Sequence, residues 1–192
     1  MKLVLASQNR HKAEEIQSIL GEDIKLLTLD EVGCKDLEII EDGDTFEANA
    51  VKKAVTVMEK TGLPSIADDS GLCVDALGGA PGIYTARFAG EGATDDQNIS
   101  KLLKALEGVE MSERTARFVC VIALAYPDRE PVTFYGDCQG KILTEKRGEN
   151  GFGYDPIFYV ERFEKTMAEL PADVKNSISH RSNALSKLKI EE

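Results

Sequence analysis

The chain is short of positive charge. Its 23 Lys and Arg stand against 34 Asp and Glu, a formal net charge of −11. Binding along a phosphate backbone needs a basic stripe that neutralises several phosphates, so a broad nucleic-acid footprint is excluded. A small anionic ligand is not, provided a few cations converge locally and a divalent metal assists. Paired cysteines are also lacking: Cys34, Cys73, Cys120 and Cys138 are scattered without a CxxC, which argues against a zinc site or a disulfide framework and for four reduced, packed thiols. No apolar run approaches the roughly 20 residues that span a bilayer, and the opening MKLVLASQNRHK is apolar for only a few residues, unlike a processed leader. The setting expected from these absences is cytoplasmic, with no membrane contact. The GxxxxGK[ST] signature of a P-loop enzyme is missing, as are internal repeats and low-complexity tracts.

What is present is enough apolar material for one substantial core: 42% hydrophobic residues in 192, burying roughly two-thirds of the extended surface. KLVLAS reads as a buried strand, followed by a helix around residues 10–20 that stops near Gly21. DIKLLTL is a second strand, and residues 30–44 form an acidic, aperiodic loop. A helix over 45–60 is expected with Asp44 as cap and Glu47 completing a reciprocal box. Its core side is Phe46, Ala50, Ala54 and Met58, with Asn49 and Lys53 near the boundary of the other face. SIAD makes a short strand that delivers Asp68 and Asp69 to a crevice, and Gly78, Gly79 and Gly82 shape a tight connection. Thr94 and Gln97 have capping-box spacing before a helix through DDQNISKLLKALEG. ARFVCVIALAYP and VTFYGDCQGKIL read as strands paired across DREP, and a last helix starts around Ser177 to Ser179, placing His180 and Arg181 in an exposed first turn. The architecture implied is mixed α/β with one central sheet, divided by a cleft into two lobes.

Several residues invite chemistry, each beside a plainer role. Asp68 and Asp69 offer hard oxygen ligands for a hydrated divalent metal or a place to orient water; capping, turn formation or solvated charge would explain them equally. Glu41 can join them or belong to a solvated acidic run. Ser7, Asn9 and Lys12 stand at a strand end and helix start, where backbone donors receive phosphate oxygens or simply cap a surface helix. Lys53, Lys175 and Arg181 can answer phosphate charge or remain solvated bases. His180 can donate to a base or phosphate oxygen, or pack. Phe152 and Tyr154 can flank a planar heterocycle with Asp155 accepting from a ring nitrogen, or fill a core. Residues alone reach a cleft protein that handles a phosphorylated small molecule.

SQNRHKAEE, TFEANAVKKA, IADDSGLCVDALGGAPGIYTARF, GFGYDPIF and SISHR, in that order, resemble the signatures of the inosine/xanthosine triphosphate pyrophosphatase family across essentially the whole chain. The resemblance implies a single domain over 1–192: an elongated mixed central sheet with flanking helices and a cleft between two lobes, assembled as a homodimer. It implies magnesium-dependent hydrolysis of ITP, dITP and XTP at the α–β phosphate bond, to nucleoside monophosphate and diphosphate, which cleanses the nucleotide pool. Carried over by position, Ser7, Asn9 and Lys12 face phosphate, with Ser7 where many members have Thr. Glu41 and Asp69 hold magnesium, Asp69 also activates water, Asp68 orients the arrangement, and Lys53 contacts phosphate. Ser70 follows as a substrate contact. Phe152, Tyr154 and Asp155 enclose the nucleobase opposite Lys175, His180 and Arg181. Ala48 departs from a common Glu before Asn49, which weakens any acidic role there. A pyrimidine or modified-nucleotide pyrophosphatase and a catalytically silent nucleotide-binding module are the alternatives.

Overall fold

The computed structural model describes residues 1–188. Seven strands form one sheet in the order β2-β1-β3-β4-β5-β6-β7: β1 (Lys2–Leu5), β2 (Lys25–Leu27), β3 (Ser65–Val74), β4 (Thr115–Tyr126), β5 (Arg129–Ile142), β6 (Phe158–Val160) and β7 (Lys165–Thr166). β1 runs parallel to β2 and β3, whereas β6 runs antiparallel to β5 and β7, so the sheet is mixed as expected. Parallel neighbours need crossover connections; α1 (Arg10–Leu20) and α2 (Phe46–Thr61) supply them. Then come α3 (Asp95–Ala105), α4 (Ala172–Ile178) and α5 (His180–Leu185). Among the described residues no helix is long and apolar enough to cross a membrane.

The chain divides into two compact units, one of residues 1–69, 120–136 and the described residues from Arg181, the other of residues 70–119 and 137–180. The boundaries fall inside β3, β4, β5 and α5. In the first unit, strand alternation sends successive side chains to opposite faces. Val4, Ala67 and Val121 pack with Ala50, Ala54 and Val57 of α2. Leu3, Leu5 and Ile66 pack on the other face with Ile16 of α1 and Ala184 and Leu185 of α5. A sheet covered on both faces wants apolar runs without alternation, which explains β1 and β4. Each fully buried Leu or Ile contributes roughly 1.5–3 kcal/mol.

The second unit has one core, where Ile99 and Leu102 of α3 meet Leu72, Val74, Phe118 and Phe158. Arg114 is buried there, and its guanidinium donates to the carbonyls of Ile142 (2.8 Å), Leu106 (2.9 Å) and Leu143 (3.0 Å), stapling three segments together. The expected capping box of Thr94 and Gln97 opens α3.

Local signals mislead at four places. The cap of α2 is Thr45 rather than Asp44: Thr45 has the extended backbone (φ −138°, ψ 156°) and its hydroxyl accepts from the Ala48 N–H. The reciprocal box is lost with that shift, and Glu47 accepts instead from the Thr133 hydroxyl at 2.7 Å. β3 continues through Val74 instead of ending at the acids, so Asp68 and Asp69 lie mid-strand. The turn between β4 and β5 is Pro127 and Asp128, with Arg129 already in β5. The last helical region is two helices, because Ser179 is extended (φ −65°, ψ 156°) and separates α4 from α5.

Candidate active site

The position of Asp68 and Asp69 within β3 decides their chemistry. Adjacent strand residues face opposite ways, so the two carboxylates take different direct partners: Asp68 follows Ile66 to the face of α1 and α5, and Asp69 follows Ala67 to the face of α2.

Asp68 is fully buried and heavily engaged. Its Oδ1 pairs with Lys12 Nζ, and its Oδ2 accepts from Arg181 Nε at 2.9 Å and from the Cys120 thiol at 3.1 Å. Arg181 in turn pairs through Nη1 with Glu15 of α1. Burial alone would raise the pKa of Asp68; Arg181 and Lys12 overcome it and hold the carboxyl well below the usual range. The thiol of Cys120 is pushed well above its ordinary value, first by burial and then by Asp68. The exposed first turn expected for His180 and Arg181 is not found: Arg181 is 1% exposed and His180 8%. Carboxylates 113 and 166 residues away in sequence, Asp68 and Glu15, cover the arginine's charge.

Asp69 is also buried and lysine-paired, but less fully engaged. Its Oδ1 accepts from Lys53 Nζ at 2.8 Å, while its buried Oδ2 has no hydrogen-bond partner among the described residues. Burial, helped by the charge of Glu41, outweighs Lys53 and Lys12 and leaves its pKa raised. Lys53 also lies 3.3 Å from Oε1 of Glu41, whose side chain is 39% exposed. Burial pulls the lysine's pKa down, but Asp69 and Glu41 outweigh it and leave it raised. Lys53 and Asn49, expected near the outer face of α2, are both buried. Asn49 explains how an irregular loop presents Glu41: its Oδ1 accepts from the Gly43 N–H at 2.8 Å.

At the start of α1, Ser7 Oγ accepts from the Asn9 N–H (3.2 Å) and Asn9 Oδ1 accepts from the Lys12 N–H (3.2 Å), so these two residues shape the turn from which Lys12 reaches Asp68. An unsatisfied buried carboxylate oxygen costs about 1–3 kcal/mol. Retained beside a buried lysine, it is a group able to accept a proton from water or to bind a cation.

The second unit contains the other candidates. Asp155 is buried, and its Oδ2 accepts from the Phe152 N–H (3.0 Å) and from Lys175 Nζ (2.7 Å). The ammonium of Lys175 stands 4.9 Å from the Phe152 ring centroid, a cation–π distance. Gly151 permits this fold of the loop, since a Cβ there would fall 2.0 Å from Asp155 Oδ2. Tyr154 points into the core and its hydroxyl donates to the Thr85 carbonyl (2.8 Å); burial raises its pKa. His180 stacks on Phe118, with centroids 4.9 Å apart and 19° between planes. Ser70 is half-buried on β3.

Compared with known proteins, residues 3–191 match the model of the Ham1 family. The chain belongs to the Ham1 family. Ham1 relatives include the dITP/XTP pyrophosphatase of Desulfotalea psychrophila, 52% identical over 190 residues that cover 98% of this chain and 84% of that one. That of Bacillus licheniformis is 50% identical over 190 residues, covering 97% and 95%. The structure of the Staphylococcus aureus Ham1 protein superposes with a TM-score of 0.88 at 45% identity, covering 97% of this chain and 95% of that one. A nucleoside-triphosphatase / dITP/XTP pyrophosphatase from Mycobacterium abscessus gives 0.79 at 40% identity, covering 97% and 98%. As a Ham1 protein the chain is an enzyme, a nucleoside triphosphate pyrophosphatase.

Sequence reasoning passed over Glu15, Asn49 and Cys120 as parts of these arrangements. Only Asn49 left a readable trace, a polar residue one turn before Lys53 on an otherwise apolar helix side.

Proposed function

We propose that this enzyme hydrolyses ITP, dITP and XTP between the α and β phosphates, releasing nucleoside monophosphate and diphosphate and clearing deaminated purines from the nucleotide pool. The observation that carries the reading is the buried, unpartnered Asp69 Oδ2 beside Lys53, in a chain whose relatives include dITP/XTP pyrophosphatases. One catalytic domain of two lobes, working as a cytoplasmic homodimer without nucleic-acid or membrane binding, completes the proposal.

Asp69 Oδ2 takes a proton from a water whose oxygen bonds to the α phosphorus. The bond from that phosphorus to the bridging oxygen breaks, and diphosphate leaves with the electron pair. Lys12 and Lys53 offset the charge that gathers on phosphate oxygens, and Ser7 and Asn9 hold the turn that presents Lys12. Mg²⁺ keeps several waters and takes one or two carboxylates plus substrate phosphates. The free Asp69 oxygen and partly exposed Glu41 fit that need, and among the described residues no group of three or more His, Cys, Asp or Glu forms a self-sufficient cage. When bound, the metal neutralises triphosphate charge.

Base choice is assigned to Phe152, Tyr154, Asp155, Lys175 and His180; Arg181, whose guanidinium pairs with Asp68 and Glu15, instead supports β3. The Phe152 ring offers a stacking face, and the Lys175 ammonium is a donor for a 6-oxo group. Adenine's 6-amino group would leave that donor unpaired, a mismatch that discriminates more strongly than apolar sizing. Ser70 contributes a hydroxyl to substrate binding.

The test is a product-resolved assay of ITP, dITP, XTP, GTP and ATP with and without Mg²⁺. The expected result is metal-dependent IMP plus diphosphate from ITP, with GTP and ATP poor substrates. IDP plus phosphate, or no turnover, would overturn it.

A further inference from the structure

The glycine-rich segment that carries Phe152 is tied to the first turn of α3 at both ends. Asp95 Oδ2 accepts from the Gly153 N–H at 2.7 Å, and Asp96 Oδ1 pairs with Lys146 Nζ at 2.6 Å. Between these ties the loop is held by backbone contacts, Arg147 N–H to the Pro156 carbonyl (2.8 Å) and Asn150 N–H to the Ala168 carbonyl (3.1 Å). Phe152 is flanked by Gly151 (φ 77°) and Gly153 (φ 61°), both in the left-handed region and both without a side chain to restrict them. The direction of the Phe152 ring therefore depends on what holds the neighbouring N–H groups. Asp155 holds that of Phe152, and Asp95 holds that of Gly153.

α3 is a firm support for such a tie. Its first turn is locked by the Thr94 and Gln97 box. One turn in, Asn98 donates to the Ala86 carbonyl (3.0 Å) and accepts from the Ala89 N–H (2.7 Å). A carboxylate acceptor makes a stronger bond to an N–H than a neutral one. We propose that Asp95 is a positioning residue for base recognition: by fixing the Gly153 N–H it sets the direction of Phe152, and through it the preference for oxo-purines. The inference rests on Phe152 being the wall against which the base stacks. Asp95 touches neither phosphate nor Asp69's water in this scheme, so its removal changes binding and leaves chemistry alone.

Steady-state kinetics with ITP and ATP on the full-length enzyme test this through Asp95→Ala, Asp95→Asn and Phe152→Ala. Loss of one charge-assisted hydrogen bond is expected to raise the KM of Asp95→Ala for ITP by about 3–10-fold, with kcat within about twofold and a smaller ITP to ATP preference. Asp95→Asn keeps an oxygen acceptor and is expected to restore KM to within about twofold of the parent. If Asp95 acted only through its charge at the helix N-terminus, both substitutions would be equally defective, and that result overturns the proposal. An unchanged KM in Asp95→Ala alongside a raised KM in Phe152→Ala overturns it too, with the base wall intact. Unchanged KM and base preference in Phe152→Ala would remove the base wall itself, and the proposal with it.

Discussion

The acidic centre of the first unit and the aromatic loop of the second handle buried charge in opposite ways. In the loop, Lys175 and Asp155 pair with each other and Asp155 also takes a backbone N–H, so the charges it buries are matched. Around β3 the matching is divided between neighbours: Asp68 is saturated by Lys12, Arg181 and Cys120, while Asp69 keeps an oxygen in reserve. A paired charge maintains a shape, whereas a reserved oxygen is kept at an energetic cost and is available for reaction. In the proposed mechanism one aspartate serves architecture and the next chemistry, and the alternation of a strand separates them.

That contrast can be broken most severely at Asp68. Asp68→Asn leaves Arg181 and Lys12 without their shared anion and is expected to cost about 3–5 kcal/mol of stability in urea titration; a loss under about 0.5 kcal/mol, the level of an uninvolved surface site, would contradict the architectural role. A subtler change sharpens the reactive side. In Gly43→Ala the new Cβ would lie 2.7 Å from Asn49 Oδ1 and 2.9 Å from the Ala48 Cβ, forcing the loop off Asn49 and Glu41 away from Lys53. Activity at limiting Mg²⁺ is expected to fall about 10–100-fold, the usual scale for residues that orient a metal ligand, with a raised half-saturating metal concentration. An unchanged magnesium titration would show that Glu41 is not placed by this contact.

Much of the fold was legible because its signals are local. The stop of α1 at Gly21, the Thr94 box and the apolar runs of β4 need only neighbours within a few residues. The cap of α2 was misread where two acceptors, Asp44 and Thr45, stand side by side and backbone conformation chooses between them. β3 was read too short because DDS looks like the end of a strand; it continues because Lys12, Lys53 and Arg181, from three separate helices, compensate two carboxylates in its middle. The burial of Arg181 depends on Asp68 and Glu15, partners that no window of sequence contains. For the site, the resemblance supplied candidate residues, but their division of labour required knowing which face of β3 each aspartate takes.

The most direct measurement is the pair of quantities kcat for ITP and urea stability in Asp69→Asn. An amide oxygen can still accept from Lys53, which also keeps Glu41 at 3.3 Å, while the reserved oxygen becomes an NH₂, so kcat is expected to fall about 10²–10⁴-fold, the range for losing a general base, with a smaller loss of stability than in Asp68→Asn. Retained turnover, or a destabilisation as large as that of Asp68→Asn, would contradict the assignment of Asp69 to chemistry.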